Sequence, residues 1–224
     1  ASEQLGAPES ELTVWDVTKY SSNIGFAKLG ELMGRDLLYH YLTDFGFGER
    51  PGTGLQGEAQ GHLRPTRDWA PITFANICFG QGVSVSALQI VRAMAAVANG
   101  GELMRPILVK EIRDSNDAVL FRNMPRVERR VVSEETAAQV MAALARVVED
   151  GGTGTAGRSD RFTFVGKTGT AQKVDPVTGG YSADKRVASF VGFLPAENPR
   201  LVMLVSLDEP QKVVYGGLVA APSV

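Results

Sequence analysis

Lys167, Thr168 and Gly169 lie in the stretch FTFVGKTGTAQKV, residues 162–174, which admits two chemistries. Gly-Lys-Thr closes a phosphate-binding loop, whereas Lys-Thr-Gly on a strand beside a serine supports hydrolysis or transfer of an acyl group. The nucleotide reading needs a glycine at position 161, to open a nest of backbone N–H groups. That position is Arg161, the intervening Phe-Thr-Phe-Val reads as a strand, and no amphipathic helix follows Thr168. The strand reading survives. On a strand, Thr168 and Thr170 share one face while Lys167 and Gly169 share the other. With no Cβ at Gly169, another element can approach closely on the lysine side. Hydroxyls, an ammonium and backbone groups are then offered to an extended ligand.

A second motif lies far upstream: Ser21-Ser22-Asn23, a Ser-x-Asn at the start of a helical pattern. Taken singly, such a motif is ordinary helix capping. Taken in order, Ser-x-Asn followed by Lys-Thr-Gly is the arrangement of the penicillin-recognising serine enzymes. The stretches TGLQGEAQGHLRP, FGQGVSVSALQIVRAMAAVANGG, GGTGTAG and YGGLVAAP resemble segments of the class B penicillin-binding proteins. Those are the peptidoglycan DD-transpeptidases of cell division or elongation. The resemblance runs from Leu12 to Pro222.

That resemblance implies a serine acyl transfer on a stem peptide ending in D-Ala-D-Ala, with β-lactams as competing ligands and no cofactor. It implies that Ser21 relays protons and that Asn23 hydrogen-bonds the substrate amide. Lys167 supplies positive potential, Thr168 and Thr170 hold the substrate carboxylate along Gly169, and the Thr170 N–H forms half an oxyanion hole. It further implies cell-wall assembly proteins as partners, a membrane anchor upstream, and a place on the extracytoplasmic face of the bacterial inner membrane. One piece departs from the family: its nucleophile, the serine of Ser-x-x-Lys, precedes Ser-x-Asn by more residues than this chain has before Ser21. The one Ser-x-x-Lys present, Ser182 to Lys185, falls in a stretch read as a turn and is taken as coincidence. A three-residue spacing aligns two side chains only on a helix. The expectation is one partial domain, 1–224, truncated at both ends and inactive alone. The alternative is a non-catalytic scaffold of a cell-wall assembly.

Composition narrows the classes further. The 224 residues carry a formal charge of -2 with both signs interspersed, which argues against a nucleic-acid partner. Two histidines, His40 and His62, and a lone Cys78 offer no metal-ligand spacing, and Cys78 reads as a small buried hydrophobe.

The elements that must position the two motifs follow from periodicity. Residues 1–10 are polar and read as a loop or chain end; short helices are expected around ELTVWDVTKY, from Asn23 to Gly34, and over RDLLYHYLTD. Residues 46–72, rich in Gly and Pro, read as a long loop. The clearest helix spans 84–99, capped by Ser84 or Ser86, with Leu88, Val91, Ala95 and Ala98 as its apolar stripe. PILVKEIRD and AVLFRN alternate as a strand pair, and a helix capped by Ser133 follows. Three strand-like runs, RFTFVGKTGTAQKV, RVASFVGFLP and RLVMLVSLDEP, close the chain with connections too short for parallel crossovers. The fold class is α+β, an antiparallel sheet flanked by helices.

Overall fold

The structure, a computed structural model, describes residues 11–223. The opening stretch 1–10, read above as a loop or chain end, lies outside the described residues. Three helices come first: α1 (Val14–Tyr20), α2 (Asn23–Met33) and α3 (Arg35–Asp44). Thr13 and Asp16 form a capping box at the start of α1, so two of its unpartnered N–H groups are satisfied reciprocally. Gly34, at φ +81°, ends α2 as the sequence predicts.

The loop that follows gives way to α4 (Pro71–Cys78), a helix absent from the sequence reading. Its signal is Pro71 in the first turn, where a missing N–H costs nothing. Next come α5 (Ala87–Ala98), β1 (Glu102–Met104), β2 (Glu111–Arg113), β3 (Val119–Arg122), β4 (Val127–Arg130) and α6 (Glu134–Val148). β2 and β3 pair antiparallel as expected. β1 and β4 form a second two-stranded pair that their three or four residues were too short to announce.

The main sheet is β5 (Val165–Val174), β6 (Tyr181–Leu194) and β7 (Leu201–Asp208), antiparallel in the order β5-β6-β7. Val97 of α5, Leu144 of α6, Val165 and Phe193 build the core on one face. Phe164, Phe190, Ala220 and Ala221 build it on the other, beneath α7 (Gly216–Val219). Helices therefore cover both faces, and β5 is left as an edge strand.

The 84–99 helix needs a correction. Ser86 is the cap, and the buried positions are Gln89, Arg92, Ala96 and Val97; the expected stripe Leu88, Val91, Ala95 and Ala98 is only half-buried. Apolar periodicity missed this face because two of its residues are polar. Gln89 completes the capping box with Ser86, and its amide donates to the carbonyls of Gly46, Glu49 and Gln60. Arg92 bonds the Met104 carbonyl and pairs with Glu128. One helix thus pins the 46–60 loop and β1. A buried amide with every partner in place is stable, and costly to break. Cys78 also differs from expectation: it is half-buried, with its thiol donating to the Phe74 carbonyl, 3.1 Å away.

Phe193 is fully buried between α5, α6 and β5. Phe193→Ala therefore lowers stability by about 3–5 kcal/mol in urea unfolding. Phe162→Ala, at an exposed position 55% accessible, stays within about 0.5 kcal/mol of the parent.

Candidate active site

The link between α1 and α2 is two serines long, and each does a different job. Ser22 is the buried N-cap of α2, accepting the Gly25 N–H at 3.1 Å. Capping thus falls to the middle residue of Ser-x-Asn, leaving Ser21 for another use. Ser21 ends α1 with φ 55° and ψ 44°, and its N–H donates back to Thr18 and Val17. A non-glycine residue in this left-handed region costs about 1–2 kcal/mol. Such strain is retained where surrounding structure demands it, commonly at functional sites. Here it turns the Ser21 hydroxyl toward β5.

On β5 the Lys167 ammonium donates to Ser21 Oγ at 2.6 Å, joining residues 146 apart in sequence. It also donates to the Thr168 carbonyl at 3.3 Å. No carboxylate among the described residues pairs with it, and burial alone pulls its pKa from 10.5 down to about 8. The Thr168 carbonyl is thereby turned to the open edge of β5. Backbone groups of alternate residues point the same way along a strand, so the Thr170 N–H faces that edge as well.

The two threonines lie on the opposite face from Lys167, as expected. Thr170 Oγ1 accepts the Gly216 N–H at 3.1 Å, which leaves its own proton to give away. Thr168 Oγ1 lies 3.0 Å from Thr153 Oγ1. The close approach predicted at Gly169 takes a different form. A Cβ there would sit 2.5 Å from the hydroxyl of its cross-strand partner Ser189. The element that closes on the sheet does so from the threonine face, where side chains at Gly216 or Gly217 would collide with the carbonyls of Ser189, Gly169 and Thr153.

Ser21 and residues Lys167 through Thr170 line one cavity of about 1120 Å³, which continues along β5 to Val174 and faces Arg64, Asn76 and Gln81. Arg64, Lys167 and Lys173 line it, with no Asp or Glu, although the chain's net charge is negative. Lys173 is neutralised by Asp208 and Glu209. An anionic ligand fits this lining. Asn23 is half-buried at the first position of α2 and does not line the cavity, so the structure groups five of the six sequence-predicted residues. Thr153, in GGTGTAG, does not line the cavity but touches Thr168 behind it, a contact the sequence reading missed; its glycine neighbours were the signal that a backbone passes close.

Ser182 does not join them. It lies in β6, where a turn was expected, with its hydroxyl donating to Asp184 at 2.8 Å. Lys185 reaches instead toward Glu209, 3.7 Å away. The three-residue spacing on a strand sends the two side chains to opposite faces.

The lowered lysine pKa has a thermodynamic sign. Between about 8 and 10.5 the unfolded chain holds a proton on Lys167 that the folded chain has released, so this residue's contribution to stability rises with pH. Unfolding midpoints of wild type relative to Lys167→Met should shift in favour of wild type as pH climbs through that window, and stay level below it. A gap independent of pH would show that the lysine titrates normally.

Comparison with known proteins agrees with this geometry. The family model described as the penicillin binding protein transpeptidase domain matches residues 2–224. Stage V sporulation protein D of Bacillus subtilis is 42% identical over 214 residues, 95% of this chain and 33% of that protein. The probable peptidoglycan D,D-transpeptidase PenA of Neisseria gonorrhoeae is 40% identical over 212 residues, covering 94% and 34%. Penicillin-binding protein 3 of Mycobacterium tuberculosis, solved with aztreonam, superposes with a TM-score of 0.86 at 36% identity, over 94% of this chain and 48% of that one. The apo transpeptidase domain of Burkholderia pseudomallei penicillin-binding protein 3 gives 0.81 at 38% identity, over 94% and 61%. The chain spans about a third of the length of the curated relatives it matches. With this fold and this serine–lysine pair, the chain belongs to the transpeptidase-domain family of the class B penicillin-binding proteins.

Proposed function

We propose that this chain supplies the proton relay and substrate cradle of a peptidoglycan DD-transpeptidase whose nucleophilic serine lies outside it. The observation that carries this reading is the 2.6 Å bond between Lys167 Nζ and Ser21 Oγ. A half-buried ammonium with no carboxylate partner is expensive, and its natural use is to meet an incoming anion.

The peptide lies as an added strand along the open edge of β5. Its terminal carboxylate meets Lys167 and the hydroxyls of Thr168 and Thr170, and its scissile carbonyl meets the Thr170 N–H. The serine oxygen attacks that carbonyl carbon and forms an ester, and the last D-alanine leaves with the proton. An amine of a second stem peptide then attacks the ester and frees the serine. With a pKa of about 8, Lys167 is mostly charged at pH 7 yet close enough to neutrality to pass a proton through Ser21. The aimed N–H stabilises the tetrahedral oxyanion, and one such donor is worth about 2.7–4 kcal/mol of barrier. Asn23 completes the amide contact once substrate and nucleophile are in place. Phe26, Phe79, Val85, Ile90 and Leu204 give the cavity an apolar side suited to packing the segment that brings the serine.

The same reading places the domain on the extracytoplasmic face of the bacterial inner membrane, among cell-wall assembly proteins. Among the described residues no helix is long and apolar enough to cross a membrane. β-Lactams compete with the peptide for the cradle.

Gel fluorescence with a labelled penicillin tests this. The 224-residue chain alone forms no covalent adduct, since the one serine bonded to a lysine of lowered pKa, Ser21, serves in this reading as the relay and not as the nucleophile. The full-length protein labels, and Lys167→Ala slows that labelling by roughly a hundredfold, the weight of a lost charged contact to the carboxylate. A stable adduct on Ser182 of the bare chain, found by mass spectrometry, would overturn the assignment. A full-length protein that never labels would favour a scaffold.

A further inference from the structure

Thr153 stands in the glycine-rich turn after α6, between Gly152 and Gly154. Its N–H meets the Lys19 carbonyl at 3.3 Å and its hydroxyl reaches the same oxygen at 3.4 Å. That carbonyl belongs to the last turn of α1, where no helical N–H is available to it, two residues before Ser21. The same hydroxyl lies 3.0 Å from Thr168 Oγ1, beside Lys167. One half-buried side chain therefore reaches both members of the serine–lysine pair, Lys167 through the adjoining Thr168 and Ser21 through Lys19 two residues before it. The backbone around it cannot drift. The Gly154 N–H is tied to the Val147 carbonyl at 2.8 Å, and Gly217 packs so close that a Cβ would overlap the Thr153 carbonyl.

A threonine hydroxyl has one proton and two lone pairs. Thr153 can give its proton to Lys19 or to Thr168, one at a time. While it bonds Lys19, the Thr168 hydroxyl donates to Thr153 and is turned away from the cavity. Once Thr153 donates to Thr168 Oγ1, the Thr168 proton is free to point at an anion on β5, and Lys19 keeps the Thr153 N–H. With an anion there to accept the Thr168 proton, both states are fully hydrogen-bonded, so the exchange on ligand binding leaves no donor without a partner.

We propose that Thr153 is a positioning residue for carboxylate ligands. It holds the Ser21 turn in register with Lys167 and supplies the hydrogen bond that releases the Thr168 hydroxyl toward the carboxylate. The inference rests on the transpeptidase reading above and adds a residue that none of the three motifs contains.

The test uses the full-length protein with Thr153→Val, which keeps the shape and removes the hydroxyl, and Thr153→Ser, which keeps the hydroxyl. The readout is the second-order acylation rate for a penicillin and for its methyl ester. Thr153→Val should slow the carboxylate form by about tenfold and the ester by less, because the lost bond serves a charged acceptor. Thr153→Ser should recover wild-type selectivity even if its unfolding midpoint falls. In a Thr168→Val background, Thr153→Val should add little, as coupled residues do. Equal losses on acid and ester, or no loss in Thr153→Val while the wild type labels normally, would overturn the inference alone. A wild type that fails to label would remove the transpeptidase reading and this inference with it.

Discussion

The site depends on one hydrogen bond, from a half-buried ammonium to a hydroxyl held in a strained turn. Lys167 has exchanged water for Ser21 Oγ and the Thr168 carbonyl, neither of which carries a full charge. Two dipoles do not replace the solvation of a cation, which is why its pKa falls to about 8. Pairing Lys167 with a carboxylate would stabilise the fold and would abolish the positive potential that an anionic ligand needs. The cavity instead has no acidic residue in its lining. Stability is traded for a charge kept available.

Everything around that bond keeps the ends of two distant segments from moving apart. Ser21 is fixed because α1 and α2 each end on their own terms: Thr13 and Asp16 start α1, Ser22 caps α2, and the residue between helices is left in the left-handed region. Lys167 is fixed because β5 is sandwiched, with α5 and α6 on its face and α7 on the other. The chain that leads into the cavity residues His62 and Arg64 is fixed by Gln89, whose amide donates to three backbone carbonyls of the 46–60 loop. Its many glycines reflect tight backbone geometry, as at Gly61, where φ is +69° and a Cβ would strike the Ser84 carbonyl.

The parts legible in the sequence are those where a local rule and the tertiary fold agree. β5, β6 and β7 were legible as strand-like runs set between Gly-, Pro- and Asn-rich turns, and α6 begins where Ser133 and two glutamates satisfy its first turn. Lys167 and Ser21 were singled out by motif, and the fold brings them into hydrogen-bond contact. The misses have a common cause: long-range polar contacts leave no periodic trace. The buried face of α5 includes Gln89 and Arg92, which an apolar count assigns to solvent. Ser22 and Ser21 cannot be told apart as cap and site residue until the helix start is known to be Asn23. Thr153 acts through Lys19 and Thr168, far away in sequence, and Ser182 was read as a turn because the apolar run RVASFVGFLP starts only at Arg186, whereas β6 already begins at Tyr181. Asn23 is the one motif residue whose role the fold alone leaves outside the cavity.

The central claim is that Lys167 is an uncompensated ammonium bonded to Ser21. Its direct measurement is a pH titration of the lysine side-chain NMR signals, with Lys167 assigned by its substitution and repeated in Ser21→Ala. The account predicts a midpoint for Lys167 near 8, well apart from the surface lysines, and a change in that midpoint when the Ser21 hydroxyl is removed. A Lys167 that titrates at the ordinary 10.5, unaffected by Ser21→Ala, would contradict it.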